Sequence, residues 1–401
     1  MSAIEVKPGI YWIGVNDRTT DLFEGLWPIT NEGVSYNAYV INGAKKVLVD
    51  MAKDIKSDAL VDQIAEVFDP STLDYIVVNH MEPDHTGVIR TLRRIAPHAT
   101  ILATQRALPL LENYYQVTQN VRAVEDGEVL DLGSHTLQFF ITPMVHWPET
   151  MVTYETSQKV LFSCDAFGGY GALQGTIFDD QCTDLRFYER EALRYYANIV
   201  ALFPKPVLKA IEKLKGVPIN VIAPSHGLVW RNNPGRIVEL YQKWAKYALE
   251  GPETGITLLY GTMYGNTERM VEAVASGVAR AGVPVTIFDV RHIHVSYILP
   301  SVYTQSGVIV GAPTYEGELF PLMAQTLDML ARKRINNRKL AYFGSFGWSG
   351  GARREIAAWA EKLKWELTES WEFPGGSHSE TLLRGEELGY RFAQELGKSK
   401  E

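Results

Sequence analysis

Cysteine is nearly missing from this chain: Cys164 and Cys182 are the only two in 401 residues. Two thiols cannot make a disulfide framework, and they fit a reducing compartment such as the cytoplasm. They also cannot furnish a four-thiolate iron site. No apolar run approaches the roughly 20 residues that a membrane span requires. Positive charge is in deficit, with 39 Lys and Arg against 47 Asp and Glu and a formal net charge of −8. That argues against a nucleic-acid surface, which would need basic clusters. The first nine residues lack a basic stretch followed by an apolar one, so no secretory signal is expected. What remains is ordinary globular material, 46% apolar and 21% charged. The length predicts two domains, possibly three.

In the N-terminal half, short strands alternate with turns and occasional helices. Tyr39-Val40-Ile41 and Val47-Leu48-Val49 flank the turn Asn42-Gly43-Ala44, a hairpin signal. Tyr75-Ile76-Val77-Val78 reads as a strand buried on both faces, ending directly at Asn79-His80. Helical spacing over 86–95 follows, then strands over 136–141, 151–154 and 160–163. The stretch Glu250-Gly251-Pro252-Glu253-Thr254-Gly255 marks a boundary, giving domains over 1–250 and 255–401. Beyond it, strands at 256–260, 285–288, 308–310 and 340–343 alternate with helices at 268–280, 322–331 and 352–363, and a last helix covers 386–396. This is a doubly wound βα pattern, so the chain is α/β with a C-terminal parallel sheet.

The chemistry concentrates in His80-Met81-Glu82-Pro83-Asp84-His85, followed far downstream by His146, Asp165 and His226. Four imidazoles and three carboxylates are the donors of a pair of first-row metal ions. Their spacing resembles that of a metallo-β-lactamase-like αββα scaffold, with Glu82 where the hydrolases usually carry His. Oxygen-rich ligand sets with no thiolate suit iron or manganese at least as well as zinc. Strand-like alternation predicts that residues 80, 82 and 84 point one way and that His85 turns to the second metal. The same alternation predicts that Cys164 faces away from Asp165 and the metals. Trp147 is either a wall of the substrate pocket or a core aromatic shielding the site. His292 and His294 lack a third donor and read as a solvated strand end, and His98, His135 and His378 stand alone.

A second signal lies in three loops at the C-terminal ends of the later strands. The first, Thr262-Met263-Tyr264-Gly265-Asn266-Thr267, opens a helix with hydroxyls at both ends, as a phosphate site requires. Flavodoxins usually carry Ser or Thr where Tyr264 stands. The second, Pro313-Thr314-Tyr315-Glu316-Gly317, and the third, Ser345-Phe346-Gly347-Trp348-Ser349-Gly350, offer the flat faces of Tyr315 and Trp348 to an isoalloxazine ring. FMN is favoured over a dinucleotide because no GxGxxG follows the strand.

With Ser35-Tyr36-Asn37-Ala38-Tyr39, His146-Trp147-Pro148, Tyr195-Tyr196-Ala197-Asn198 and Ser225-His226-Gly227 added, the whole chain resembles the flavodiiron proteins. These A-type flavoproteins reduce oxygen to water or nitric oxide to nitrous oxide. The resemblance implies a metallo-β-lactamase-like diiron domain followed by a flavodoxin-like domain. His80, Glu82 and His146 would hold one iron, Asp84, His85 and His226 the other, with Asp165 bridging. FMN would relay electrons from an external donor, rubredoxin or a deazaflavin. A head-to-tail homodimer, or a dimer of such dimers, is implied as the working unit. The competing reading is a dizinc hydrolase with a flavin-sensing second domain. A third, a pure electron carrier, is hard to reconcile with a complete metal set.

Overall fold

The protein is described by a computed structural model covering residues 2–398. Two compact units emerge, Met1–Ala245 and Lys246–Glu401. The helix Pro234–Tyr247 runs across the division, a few residues ahead of the Gly- and Pro-containing stretch at 250–255.

The first unit is built on two sheets. One has seven strands in spatial order Ile4–Lys7, Ile10–Trp12, Tyr39–Asn42, Lys46–Val49, Tyr75–Val77, Thr100–Thr104 and Val121–Val124. Its first four are antiparallel neighbours and its last three join in parallel. The other runs Val129–Asp131, Thr136–Ile141, Met151–Glu155, Val160–Cys164 and Val221–Pro224, antiparallel until the last pair. The sheets meet face to face, with the Tyr39 and Phe162 rings 5.2 Å apart and the Tyr39 hydroxyl donating to the Pro224 carbonyl at 2.8 Å. Met151–Glu155 and Val160–Cys164 are buried along their whole length. A strand dry on both faces needs helices outside it, and Val207, Ile211 and Tyr241 pack there against Val152. Four chain segments therefore end along one rim, at Asn79, Thr142, Asp165 and Ser225.

The helix expected over 86–95 is two helices, Pro83–Thr86 and Ile89–Ile95. Pro83 takes the first helical position, where its missing N–H and fixed φ cost nothing. Asp84 and His85 thus lie on a helical turn, not an extended loop. Strand-like alternation fails there, which decides how the candidate donors divide.

The second unit is one parallel sheet in the order Val285–Asp289, Glu253–Tyr260, Gln305–Gly311, Lys339–Phe346, Glu366–Pro374. Its core gathers Ile256, Leu258, Ile309 and Phe343 from the strands with Met270, Val274, Leu388 and Phe392 from two helices. Those helices, Asn266–Arg280 and Ser379–Lys398, touch through glycine: a Cβ on Gly277 would meet the Glu386 carbonyl oxygen at 1.9 Å. Besides the short hairpin strands Thr314–Tyr315 and Glu318–Leu319, two elements have no counterpart in the sequence reading. The edge strand Glu366–Pro374 is rich in Glu and only partly buried. The helix Val295–Thr304 contains Pro300, yet buries Ile298, Leu299 and Val302 on one face. Among the described residues no helix is long and apolar enough to cross a membrane.

Candidate metal centre and flavin loops

The seven donors converge at the rim of the two sheets, each aimed by what stands behind it. His80 leaves the strand Tyr75–Val77, and its Nδ1 faces Glu149 Oε1 at 2.8 Å, which also accepts from the Met81 N–H at 3.0 Å. His226 directs Nδ1 to the Ser35 carbonyl at 2.8 Å. Both rings are thereby held with Nε2 toward the centre, the usual support of a metal-binding imidazole. His85 Nδ1 lies 3.9 Å from Cys164 Sγ. Cys164 therefore does not turn its back on the site, as strand alternation predicts. The chain bends there, with Cys164 at φ 55°, so Cys164 supports a ligand from behind while Asp165 enters the centre.

Asp165 divides the donors into two groups. Its Oδ2 lies 3.4 Å from His80 Nε2 and 3.3 Å from His146 Nε2, and both imidazoles stand 3.2 Å from Glu82 Oε2. Its Oδ1 lies 3.1 Å from His85 Nε2 and 3.3 Å from His226 Nε2, which stand 3.5 and 3.4 Å from the Asp84 oxygens. Donors about 2.1 Å from a shared ion are about 3.0–3.4 Å from one another in octahedral or tetrahedral geometry. The observed separations match that range. Asp84 Oδ1 and Oδ2, Asp165 Oδ1 and Oδ2, His85 Nε2 and His226 Nε2 are buried without a hydrogen-bond partner. Orphaned buried polar atoms are costly unless something satisfies them, and a cation on each side of Asp165 would satisfy all six. The donor set fits two metal ions.

The same crowding sets the protonation of these side chains. Burial pulls the imidazolium pKa values down, but the facing carboxylates outweigh it. They raise His80, His85 and His226 to about 9 and His146 to about 10. Burial likewise pushes Asp165 up, and the imidazoles around it hold it well below the carboxylate range.

Aromatic rings close the centre. The Trp147 ring stands edge-on to His80 at 5.0 Å and to His146 at 6.3 Å, so it covers the ligands from outside. Phe23, Tyr36 and Tyr195 stand 5.5, 5.8 and 5.7 Å from the His226 ring. Sequence reasoning missed four polar supports. Glu149 aims His80. Asp50 accepts from the Asn79 N–H at 2.8 Å and from Ser225 Oγ at 3.3 Å, holding two segments that carry ligands. Asn79 Oδ1 accepts from Thr153 at 2.7 Å. Glu24 sits beside Glu82, its pKa pushed up to about 7 by burial and by the Glu82 charge. Only Asn79 and Ser225, which adjoin the candidate ligands His80 and His226, carried a local signal.

The remaining histidines lie elsewhere. His292 pairs with Asp289 at 3.0 Å, and His294 caps the helix Val295–Thr304 by accepting from the Ser296 N–H at 3.2 Å. Neither ends a strand as expected, because that strand stops at Asp289. His135 faces Glu155 at 3.1 Å.

In the second unit the three loops leave adjacent parallel strands at their C-terminal ends. Thr262 is buried and its hydroxyl accepts from the Gly265 N–H at 3.0 Å, curling Thr262–Thr267 into the helix Asn266–Arg280. Gly265 takes φ 86° at the turn, and no side chain caps this helix start. The first N–H groups of an uncapped helix start are those that a phosphate can accept from, and Asn266 and the buried Thr267 stand at that start. Tyr264 points outward, 90% exposed, so it adds no hydroxyl to that cradle. Pro313–Gly317 forms a small hairpin of Thr314–Tyr315 with Glu318–Leu319, turning through Glu316 and Gly317 at φ 50° and 85°. Ser345 is buried at the end of its strand, while Phe346, Gly347, Trp348, Ser349 and Gly350 make the third loop. Trp348 is 92% exposed and Tyr315 41%. Bare aromatic faces on loops that flank a nucleotide-type rim are what a flavin ring covers.

The fold and the two sites define a class: a metallo-β-lactamase-like unit holding a dinuclear metal site, followed by a flavodoxin-like unit. Residues 34–227 match the ODP family beta lactamase profile and residues 258–388 the flavodoxin profile. The chain is 34% identical over 401 residues to a nitric oxide reductase of Moorella thermoacetica, covering 98% of each. It is 36% identical to the anaerobic nitric oxide reductase flavorubredoxin of Shigella flexneri, over 91% of this chain and 77% of that one. Among solved structures, rubredoxin oxygen:oxidoreductase of Desulfovibrio gigas superposes with a TM-score of 0.93, at 29% identity and full coverage of both chains. The flavodiiron protein of Giardia intestinalis also gives 0.93, at 27% identity over 99% of this chain and 97% of that one. The chain belongs to the flavodiiron protein family.

Proposed function

We propose that this flavodiiron protein is an oxidoreductase that couples two nitric oxide molecules to nitrous oxide with two electrons, and reduces oxygen to water with four. The observation that carries this reading is the Asp165 carboxylate, which gives one oxygen to each of two His-carboxylate groups. In it, His80, Glu82 and His146 hold one iron, Asp84, His85 and His226 the other, and Asp165 bridges. When bound, the iron pair supplies an open coordination position and electrons to the substrate, and FMN supplies single-electron relay from the donor. The chain's own part is placement and electrostatics. Three carboxylates offset most of the charge of two divalent ions, Glu149 and the Ser35 carbonyl fix the imidazoles, and Trp147, Phe23 and Tyr195 keep bulk water away.

FMN in this reading lies on Thr262–Thr267, Pro313–Gly317 and Ser345–Gly350, in a unit spanning about 255–401. Two cysteines cannot furnish a four-thiolate iron site within these 401 residues. A separate donor is therefore part of the proposal, rubredoxin first and a deazaflavin second. The names of the relatives at 34% and 36% identity support nitric oxide as the principal substrate. A cytoplasmic site of action fits two free thiols, one buried and one half-buried.

Metal analysis, an optical spectrum and anaerobic nitric oxide consumption with a reduced rubredoxin test the proposal together. Expected are about two irons and one FMN per chain, with nitric oxide consumed faster than oxygen. A colourless, zinc-only protein that hydrolyses esters or lactams would overturn it in favour of the dizinc hydrolase.

A further inference from the structure

Glu372 lies on the edge strand Glu366–Pro374 and pairs in register with Gly344, one residue before the third flavin loop begins. Its carboxylate Oε1 accepts from the Thr314 hydroxyl at 3.2 Å, in the second loop. The same oxygen accepts from the Gly351 N–H at 3.4 Å and the Arg353 N–H at 3.2 Å, where the third loop enters the helix Ala352–Leu363. Thr314 Oγ1 in turn accepts from the Ala352 N–H at 3.3 Å. The loops touch there directly, since a Cβ on Gly351 would stand 1.9 Å from the Gly317 carbonyl oxygen. Gly350 leaves the room the carboxylate needs: a Cβ there would come within 2.5 Å of Glu372 Oε2. Glu355 adds a second tie, accepting from the Leu319 N–H at 2.7 Å at the far end of the hairpin.

A carboxylate that accepts from three donors at a helix start binds strongly for an uncharged environment of amides and hydroxyls. It also fills the start of the helix Ala352–Leu363 with negative charge, which leaves the uncapped start of Asn266–Arg280 as the better place for an anionic phosphate. We propose that Glu372 is the positioning residue of the flavin site, a charged clamp that fixes the second and third loops to one another. The inference rests on the flavin reading above. Through that clamp Glu372 sets how tightly FMN binds, and its fixed negative charge at the rim opposes charge uptake by the reduced ring.

The test uses the full-length protein stripped of FMN and titrated with FMN alone. Glu372→Gln keeps the shape but loses the charge and one acceptor, and Thr314→Val removes the other side of the clamp. Each is expected to weaken FMN binding about tenfold, the equivalent of one charge-assisted hydrogen bond. The double variant should lose little more than Thr314→Val alone, because Glu372→Gln weakens through its charge the same link that Thr314→Val removes. Glu372→Gln should also shift the flavin midpoint potential upward, a change that mere loss of folding would not produce. FMN-free melting temperatures check that the fold persists, and Thr314→Val carries the test if Glu372→Gln melts early. Parent-like affinity and potential in both variants overturn the inference while leaving the flavin reading intact, as do strictly additive losses. A parent protein that takes up no FMN overturns both.

Discussion

Asp165 is the residue on which the metal centre turns. It is 1% exposed and faces four imidazoles, so its charge is worth keeping only with those partners or with the ions they would share. Asp165→Asn should lose at least one iron per chain and nearly all nitric oxide reduction while FMN stays bound; full iron occupancy by elemental analysis would sink the bridging role. Glu149→Ala leaves His80 free to rotate. Iron affinity should fall about 10–100-fold, seen as faster iron loss to a chelator, the usual cost of removing such a support. Protonation gives a third expectation. With the metals removed, the four imidazoles titrate at about 9–10 in the folded chain, against about 6.5 unfolded. A pKa raised by folding contributes stability that is fully present below pH 6.5 and lost as pH rises through the folded value. The melting temperature of the iron-free protein should therefore decline between about pH 7 and pH 10. A flat profile would mean that the carboxylates do not hold those protons. The seven side chains that converge at the rim were legible as candidates because each carries ligand chemistry. Glu149, Asp50 and Glu24 were not, because a lone carboxylate gains its meaning only from what the fold sets beside it.

Elements were legible in proportion to how strongly local chemistry dictates them. Helix 352–363 and strand 136–141 fall where apolar spacing puts them. The strand Glu366–Pro374 did not show, because an edge strand with polar faces lacks the apolar run that marks its neighbours. Pro300 hid the helix Val295–Thr304, in which tertiary burial outweighs one lost hydrogen bond. The helix pair Asn266–Arg280 and Ser379–Lys398 depends on something no periodicity reports. Cβ atoms on Gly277 and Gly389 would strike backbone at 1.9 and 2.0 Å, so the two helices approach only because both positions lack a side chain. Gly389→Ala gains helix propensity of up to about 1 kcal/mol but must force rigid backbones apart. A net loss of about 2 kcal/mol is expected, read as a lower melting temperature of the flavodoxin-like unit. An unchanged or raised temperature would show that the pair can separate freely.

At the scale of the whole molecule, the second unit has its own sheet and core, so a fragment over 255–401 should fold and bind FMN. A folded fragment that binds none would place the flavin elsewhere. The head-to-tail dimer that the family resemblance implies would allow complementation. A chain with Asp165→Ala and intact flavin loops, mixed with one altered at Thr262 and Asn266 and loaded with iron, should recover activity that neither has alone. Inactive mixed dimers beside an active parent would show that electrons move within one chain. Sequence by itself determined the donor types, the parallel second sheet and the chemistry of the three loops, because those are written in side-chain identity and short-range spacing. Residue spacing alone set Asp84 with His80 and Glu82, whereas the tertiary structure, in line with the family resemblance, groups Asp84 with His85 and His226 and Glu82 with His80 and His146. That division follows from a helical turn begun at Pro83 and from four chain segments ending on one rim. Contacts between residues as distant as 80 and 226 arise from the packing of two sheets, which no local window contains.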